Sequence, residues 1–442
     1  MDVLGCEATS SAPSPVIPNA HTRLAPRPRT VAETGLSDIF LSDLVAKHLY
    51  EAGVLDLRQL SERTALAGPI LETVLGFLRD EAGVEVRGRS SHNAGLRYAL
   101  TDRGRAAALD ALMRSGYVGP APVPLRDYER VVHAQSVHTS TITQQAMHTA
   151  FADMVIRETL LHQLGPAVHS GRAIFVYGSS GTGKSYISRR LARLLGENVL
   201  IPYALGLGET VIQFFDPMLH HAASEARAEP SAMLEHGHDP RFALCQRPVA
   251  ITGGELTLDM LEVRYEPATK QYHAPLQLKA SNGMFVIDDL GRQRLATVDL
   301  LNRWIVPMEE RRDFLNLGTG KHFEVPFDVV LIFCTNMNPL ELADEAFLRR
   351  LGYKIRFDYL EPIEYEKIWR QVCSEQGISF DPGVLRYVLE ELHAKRNVPL
   401  LPCHPRDLLT LAQDQCRYQE EPNSVTAERM RWAWDNYFVK LA

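Results

Sequence analysis

The sequence predicts a three-layer α/β core, in which a parallel β-sheet carries helices on both faces, between a small α+β domain and a C-terminal helical domain. Three apolar segments, ending at residues 177, 287 and 335, have the length of buried strands and are followed at once by glycine or polar residues. Segments with helical periodicity lie before them, in residues 36–118, and after them, in residues 361–442. This order indicates an α/β core with two smaller flanking domains.

Composition and charge are those of an ordinary globular protein. The 442 residues leave room for two or three domains, and the hydrophobic fraction of 45% and the charged fraction of 23% are average. A net charge of −7 gives no sign of a nucleic-acid or membrane partner. The six cysteines are scattered without a C-x-x-C pair, which indicates reduced thiols in a cytoplasmic protein. We expect no membrane-spanning segment, because no apolar run is long enough, and no secretion signal, because the N-terminus lacks a basic region followed by an apolar stretch.

The N-terminal third has three kinds of segment. Residues 1–35 are rich in Ala, Pro, Ser and Thr, and we expect a disordered tail there. In residues 36–118 the patterns predict helices near 39–49, 57–66 and 70–78, strands at 84–87 and 96–100, and a last helix capped by Thr101. Three helices, a two-stranded wing and a closing helix resemble a winged-helix domain. Alternating prolines predict a linker over residues 119–136.

A winged helix often binds DNA, and the charges of this one bear on that possibility. Residues 36–118 hold 11 Asp and Glu against 10 Lys and Arg, which is not a basic footprint. The third helix carries three acids and one arginine, a poor surface for phosphates. Arg87, Arg89 and Arg97 cluster at the wing. DNA binding is therefore possible but not favoured, and the alternatives are a protein-interaction surface and a rigid spacer.

The strongest motif follows the apolar segment 173–177 and opens a helical pattern over 186–195. It matches G-x-x-x-x-G-K-[ST], with the residues Gly178, Ser179, Ser180, Gly181, Thr182, Gly183, Lys184 and Ser185. Small residues let backbone N–H groups cradle a phosphate chain, and the next helix presents its positive N-terminal end. Lys184 is placed to reach the outer phosphates and the Ser185 hydroxyl to bind magnesium. A simple glycine-rich turn is disfavoured because both flanks fit the motif.

Two further strand ends carry polar residues. The strand 283–287 ends in Asp288, which can hold magnesium through water, and Asp289, which can orient and deprotonate an attacking water. The strand 328–335 ends in Asn336, whose amide can bond both a terminal phosphate and that water. A strand-terminating turn is the alternative for Asn336.

Two other clusters have alternative interpretations. Arg349 and Arg350 lie near a predicted helix end, where they form either a solvated charge pair or a group that reaches into a neighbouring subunit. Four histidines occur in nineteen residues of loop-like sequence, without helical i,i+4 spacing and without a nearby cysteine: His220, His221, His236 and His238. That pattern favours a solvated loop or partner surface over a metal site.

The glycine loop, the two polar strand ends and the arginine pair, taken in this order, resemble the AAA+ ATPases over residues 137–442. The resemblance implies an α/β nucleotide-binding domain over 137–360 and a helical lid over 361–442. It makes Gly178–Ser185 the Walker A loop, Asp288 and Asp289 the Walker B pair, Asn336 sensor 1, Arg349 or Arg350 the arginine finger, and Arg406 sensor 2. It also implies ATP and Mg²⁺ as ligands, ATP hydrolysis, and assembly as a ring, commonly a hexamer with nucleotide between subunits.

Two departures from the family pattern matter. The second Walker B acid is usually Glu, so the shorter side chain of Asp289 predicts slow hydrolysis or a shifted water. From Lys184 to Asp288 the chain runs 104 residues, longer than a minimal core, and we expect residues 216–280 to be an elaboration that carries substrate or partner contacts.

A narrower resemblance concerns three segments, 253–258, 274–280 and 287–293. They are similar to bacterial AAA+ ATPases with chaperone activity associated with Flp pilus assembly. The run 278–283 also resembles bacterial enhancer-binding activators, without their diagnostic loop. Three functions stay open: an ATP-driven remodeller of a protein partner, a nucleotide-dependent DNA-binding regulator, and a switch that binds ATP but hardly hydrolyses it.

Overall fold

A computed structural model of the chain describes residues 20–89, 96–139, 141–223, 237–318 and 320–439. The α-helices are α1 (Ala20–Leu24), α2 (Val31–Thr34), α3 (Asp38–Ala52), α4 (Leu57–Thr64), α5 (Gly68–Asp80), α6 (Asp102–Arg114), α7 (Leu125–Ala134), α8 (Gln144–Ala150), α9 (Glu158–His169), α10 (Lys184–Leu191), α11 (Leu276–Lys279), α12 (Thr297–Arg303), α13 (Ile305–Glu310), α14 (Pro339–Leu342), α15 (Glu345–Leu348), α16 (Pro362–Glu375), α17 (Pro382–Tyr387), α18 (His404–Tyr418) and α19 (Ala427–Tyr437).

The strands are β1 (Val54–Asp56), β2 (Val84–Arg89), β3 (Leu96–Leu100), β4 (Val123–Pro124), β5 (Ile174–Tyr177), β6 (Asn198–Pro202), β7 (Ala204–Leu207), β8 (Thr210–Gln213), β9 (Phe242–Gln246), β10 (Val249–Thr252), β11 (Arg264–Glu266), β12 (Gln271–His273), β13 (Gly283–Ile287), β14 (Arg312–Asn316), β15 (His322–Pro326), β16 (Val329–Thr335) and β17 (Tyr353–Arg356). The chain forms two compact units. The first holds the described residues up to 124 together with 202–210 and 237–243, and the second holds 125–201, 211–223 and 244–439.

The first unit contains every helix and strand predicted for residues 36–118. It also contains a strand that the sequence did not reveal: β1 pairs antiparallel with β3, in a three-stranded sheet of order β1-β3-β2. At the predicted cap of α6, the Thr101 hydroxyl accepts a hydrogen bond from the N–H of Gly104. Gly104 itself is required there, because a Cβ atom would lie 1.9 Å from the carbonyl oxygen of Gly83. The tip of the predicted wing, residues 90–95, lies outside the described residues.

The predicted disordered tail is wrong for residues 20–35, whereas residues 1–19 lie outside the described part of the chain. Residues 20–35 form α1 and α2, and Ala25 and Thr34 are buried. Their backbone carbonyls accept hydrogen bonds from the Asp239 N–H and the Arg241 guanidinium. Arg241 also pairs with Asp239 at 2.8 Å, and both side chains are at most 4% exposed. These carbonyls therefore satisfy buried donors, which stabilises the fold of the segment.

The second unit is built on a five-stranded parallel sheet of order β10-β13-β16-β5-β17. Alternate side chains of its strands enter two separate hydrophobic cores. One core contains Phe175, Phe285 and Phe333 together with α12 and Trp304, and the other contains Val176, Val286 and Ile332 together with α8, α9 and α10. Helices therefore cover both faces, and the predicted three-layer α/β core is confirmed. A register slip of one residue would exchange the two cores, so burial fixes the pairing.

Helices α8 and α9 are separated by a turn, and β6 lies outside the central sheet. Two expectations about the chain are corrected. The predicted elaboration 216–280 contains β10, which is an edge strand of the central sheet. The predicted linker 119–136 contains α7, whose Tyr128, Val131 and Val132 are buried.

A buried polar network fixes α7 against the sheet. The Tyr128 hydroxyl donates to the Ser281 hydroxyl at 2.8 Å, and the Asn282 amide nitrogen donates to the Val132 carbonyl at 2.9 Å. A Cβ atom at Gly283 would lie 2.0 Å from the Pro248 carbonyl. Ser281–Gly283 is the end of the run 278–283 that resembles enhancer-binding activators, and packing explains these three residues here.

The C-terminal region from residue 361 is helical. Helices α16 to α19 enclose a core of their own that includes Tyr365, Trp369, Leu408 and Trp434. A π-helical turn, Val388–Ala394, continues α17. None of the described helices combines the length and the apolar character needed to cross a membrane.

Candidate nucleotide-binding site

The loop from Gly178 to Ser185 connects β5 to α10 with a backbone that only glycine adopts easily. Gly178, Gly181 and Gly183 have φ angles of 141°, 80° and 88°. At Gly178 a Cβ atom would also lie 2.2 Å from the carbonyl oxygen of Phe357. The glycines of the motif therefore permit both the turn and its close contact with the chain after β17.

Lys184 is the first residue of α10 and its ammonium group lies inside the loop. Its Nζ donates hydrogen bonds of 2.8 Å to the carbonyl oxygens of Gly178 and Ser179. Burial lowers the pKa of Lys184, whereas the nearby Asp288 and Asp289 raise it. The loop thus holds a cation at its centre, beside the positive N-terminal end of a helix.

The two acids and the asparagine predicted at strand ends are brought together, because β13, β16 and β5 are neighbours in the sheet. Asp288 is half-buried, and its Oδ1 accepts a hydrogen bond of 3.0 Å from the Asp289 N–H. Asp289 is exposed and has a left-handed backbone with φ of 49°. Gln293 steadies this turn, because its Nε2 donates to the carbonyl oxygens of Gly253 at 3.1 Å and Asp288 at 3.3 Å.

Part of the loop, the two acids and Asn336 line a cleft of about 570 Å³. One wall holds the loop residues 180–187 with Asp288, Asp289 and Asn336, and another holds residues 153–157 with Leu160 and Gln163. The side toward the helical region is lined by Leu360, Glu364, Ile368, Gln371, Val372, Glu375, Pro402, Cys403, Arg406 and Asp407. The lining combines polar groups, such as Lys184 and Ser185, with apolar side chains, such as Met154 and Ile368, as small-molecule sites commonly do.

A cluster that the sequence did not reveal joins this cleft to the hinge, residues 357–361, which connects β17 to α16. Arg157 donates to both oxygens of Glu364 at 2.6 Å and to the Tyr359 carbonyl at 2.5 Å. The Glu364 hydrogen bond raises the pKa of Arg157, and the Arg157 hydrogen bond lowers the pKa of Glu364. The Tyr359 hydroxyl lies 2.9 Å from the Ser179 hydroxyl. The second residue of the loop is therefore bonded directly to the hinge.

A second unpredicted cluster surrounds Arg406. Its Nη2 donates to Glu375 Oε2 at 2.6 Å, and Gln371 Nε2 donates to Glu375 Oε1 at 2.8 Å. The same amide nitrogen donates to the Asp153 carbonyl at 3.0 Å, and Asp153 pairs with Arg190 of α10. Hydrogen bonds thus connect the loop helix to Arg406 around the rim of the cleft.

The two adjacent arginines are elsewhere. Neither Arg349 nor Arg350 is among the described residues that line the cleft. Arg349 is exposed, and Arg350 donates from Nε to Glu309 at 2.6 Å.

The histidines do not form a metal centre in the described part of the chain. His220 is buried, its Nδ1 accepts from the Asp216 N–H at 2.9 Å, and its Nε2 donates to the Lys279 carbonyl at 2.8 Å. His238 Nε2 bonds the Phe242 carbonyl at 3.1 Å, and His236 lies outside the described residues. Among those residues no group of three or more His, Cys, Asp or Glu side chains is arranged to hold a metal ion.

Comparison with known proteins gives one partial family match. A family described as "Domain of unknown function (DUF8689)" matches residues 361–436, which hold most of α16 to α19. This match covers well under half of the chain and does not assign the whole chain to that family. A search of curated protein sequences finds no match.

Three solved structures are similar at low sequence identity. NtrX from Brucella abortus is 13% identical with a TM-score of 0.41, and the match covers 66% of this chain but only 58% of NtrX. The RuvB Holliday junction branch migration motor from Thermotoga maritima is 12% identical with a TM-score of 0.37, over 64% of this chain and 70% of RuvB. Domain III of the Thermotoga maritima replication initiation protein DnaA is 13% identical with a TM-score of 0.36, over 66% and 97%. Such values do not decide what this chain does.

Proposed function

We propose that this protein is an AAA+ ATPase that binds ATP with Mg²⁺ in the cleft and hydrolyses it. The observation that carries the proposal is the cleft itself, which collects loop residues 180–185, Asp288, Asp289, Asn336 and Arg406 from distant parts of the sequence. A coincidental glycine-rich turn would not need these groups around one cavity. The loop supplies N–H groups and Lys184 for the phosphates.

The apolar end of the cleft suits a nucleobase. Met154, Val155, Ile156 and Leu160 line one side of it, and Ile368 and Val372 of α16 line the other. A flat aromatic ring between these two sides would bury apolar surface, while its phosphates reached the glycine loop. Nucleotide would therefore hold α16 near the core.

The residues present also fit a magnesium ion. Mg²⁺ is usually held by one or two protein oxygens, with phosphates and waters completing its shell, so the Ser185 hydroxyl and Asp288 suffice. When bound, the ion would neutralise charge on the phosphates. Asp289 would take a proton from the attacking water, and the Asn336 amide would position that water against the terminal phosphate. Because Asp289 is short and exposed, we expect slow turnover.

We further propose that the site is completed in an oligomeric ring, such as a hexamer. The support is that Arg349 and Arg350 lie away from the cleft of their own chain, which fits a role in the site of a neighbour. Closure of the helical lid on ATP, and release after hydrolysis, would then move subunits against one another. This motion suits a remodeller of a protein partner, with chaperone-like activity in the cytoplasm.

DNA-dependent regulation through a winged helix has less support. The wing residue Arg87 pairs with Glu85 at 2.7 Å, and Arg103 pairs with Glu81 at 2.9 Å. To bind DNA, both arginines would have to leave these glutamate carboxylates and pair with phosphates instead. We therefore favour a protein partner.

Replacing Lys184 tests the proposal. Lys184→Ala removes the cation at the centre of the loop, and binding of a fluorescent ATP analogue should fall at least roughly 100-fold, because a charge-assisted contact to phosphate is lost. Lys354→Ala is a matched control, because this lysine donates only to the Leu351 carbonyl in the described structure and does not line the cleft. Equal affinity in wild type and Lys184→Ala would mean that the cleft is not the binding site.

A further inference from the structure

The pair formed by Arg406 and Glu375 is the starting point. Arg406 lies in the first turn of α18, Glu375 is the last residue of α16, and both line the cleft. Arg406 Nη2 donates to Glu375 Oε2 at 2.6 Å, and the side chains are 60% and 40% exposed. In the structure, then, the arginine that would meet an incoming phosphate is held by a carboxylate of its own chain.

That carboxylate is anchored. Its second oxygen, Oε1, accepts a hydrogen bond of 2.8 Å from Gln371, which also donates to the Asp153 carbonyl at 3.0 Å. The Gln371 hydrogen bond and then the Arg406 guanidinium lower the pKa of Glu375. Glu375 is therefore ionised at neutral pH and keeps its position when Arg406 leaves it.

Carboxylate and phosphate compete for the same donors. An exposed Arg–Glu pair is a weak interaction, whereas a phosphate offers more charge and two oxygens to the guanidinium fork. A triphosphate carries one more negative charge than a diphosphate and is therefore the better competitor for Arg406.

We propose that Glu375 is a specificity-determining residue that competes with the terminal phosphate of the nucleotide for Arg406. The inference rests on the proposed binding of ATP in this cleft. Glu375 lowers the affinity for triphosphate, so that Arg406 changes partner only when the outermost phosphate is present. The lid thereby distinguishes ATP from ADP, because Arg406 pairs with the terminal phosphate of ATP but stays with Glu375 when ADP is bound.

The competing explanation is a simple charge effect. Glu375→Gln removes a negative charge from the cleft and would improve binding of any anion, with or without Arg406. Two comparisons separate the explanations. Glu375→Asp keeps the charge but withdraws the carboxylate by one methylene, and Arg406→Ala removes the group for which the two anions compete.

The experiment is a calorimetric titration of the full chain with ATP and with ADP, each with Mg²⁺. Glu375→Gln should bind ATP about three- to tenfold more tightly than wild type and ADP by less than about twofold, and Glu375→Asp should show a smaller gain for ATP. In the Arg406→Ala background the gain from Glu375→Gln should vanish. Glu366→Gln is the control, because Glu366 is on the same helix and pairs with Arg370 rather than with a cleft residue.

Three results would overturn the inference: no gain for ATP, equal gains for ATP and ADP, or a gain that persists without Arg406. Thermal unfolding of each variant checks that the fold is intact. If wild type binds neither nucleotide, the proposed function fails and this inference falls with it. If wild type binds ATP but the variants do not differ, only the inference fails.

Discussion

The contact between Gly178 and Phe357 predicts that Gly178→Ala destabilises the protein more than an alanine elsewhere in the same loop. Gly178 has φ of 141°, and a Cβ there would lie 2.2 Å from the Phe357 carbonyl oxygen in the hinge. Gly183 is a matched control, because its φ is 88° but a Cβ there would have no atom within 4 Å. The two variants therefore share backbone strain and differ in the clash.

The size of the difference follows from these values. Strain alone should cost Gly183→Ala about 1–2 kcal/mol. Gly178→Ala also has to displace a backbone carbonyl and should lose about 3 kcal/mol or more. Because 1 kcal/mol corresponds to about 2–4 °C in Tm for a domain of this size, the melting temperatures should differ by roughly 2 °C or more. Circular dichroism of the ligand-free variants measures this difference, and equal losses would refute the contact between loop and hinge.

Two further predictions concern the hinge and the C-terminal helical region. Tyr359→Phe removes the hydrogen bond of 2.9 Å to Ser179 and should weaken ATP binding about two- to tenfold in titrations. Tyr418→Phe, at a residue that is 90% exposed, should leave the affinity unchanged. Unchanged affinity in Tyr359→Phe would contradict the coupling between the hinge and the glycine loop. Burial, together with the nearby His393, whose ring centroid lies 5.2 Å away, lowers the pKa of His404 from 6.5 to about 4. The folded C-terminal helical region therefore keeps His404 neutral, whereas the unfolded chain binds a proton near pH 6.5. The free energy of unfolding that is present above pH 6.5 should fall by at most about 3 kcal/mol as the pH drops toward 4. Urea unfolding, followed by tryptophan fluorescence between pH 7.5 and 5, measures the free energy of unfolding at each pH. His404→Gln should make this free energy depend less steeply on pH. An identical pH dependence in wild type and variant would exclude His404 as the cause.

The parts of the site that the sequence predicted are those with strong local signals. The glycine loop and the two strands ending in Asp288 and Asn336 each combine an apolar run with polar residues directly after it. Because parallel strands end at one edge of a sheet, placing them on strands also places them together. Arg406 was added by resemblance, and the structure brings it to the same cleft.

The parts that were missed depend on contacts distant in sequence or on short elements. Arg157 and Glu364 are 207 positions apart, and neither lies in a motif that indicates the other. The strand β1 has only three residues, too few for an alternating pattern. Helix α7 did have a signal, because Tyr128, Val131 and Val132 follow helical spacing, but the prolines before it favoured a linker.

The order in residues 20–35 shows a third limit. Their composition gives no core of their own, and their carbonyls accept hydrogen bonds from buried donors of Asp239 and Arg241. A partner more than 200 positions away cannot be read from local composition.

The measurement that tests the central claim most directly is steady-state phosphate release from ATP by the full chain with Mg²⁺, compared with Asp289→Asn. The variant keeps the size of the side chain and removes the proposed base, so it should bind ATP as wild type does and lose at least about 90% of turnover. A wild-type protein that releases phosphate no faster than Asp289→Asn, or a variant that hydrolyses ATP at the wild-type rate, would contradict the account.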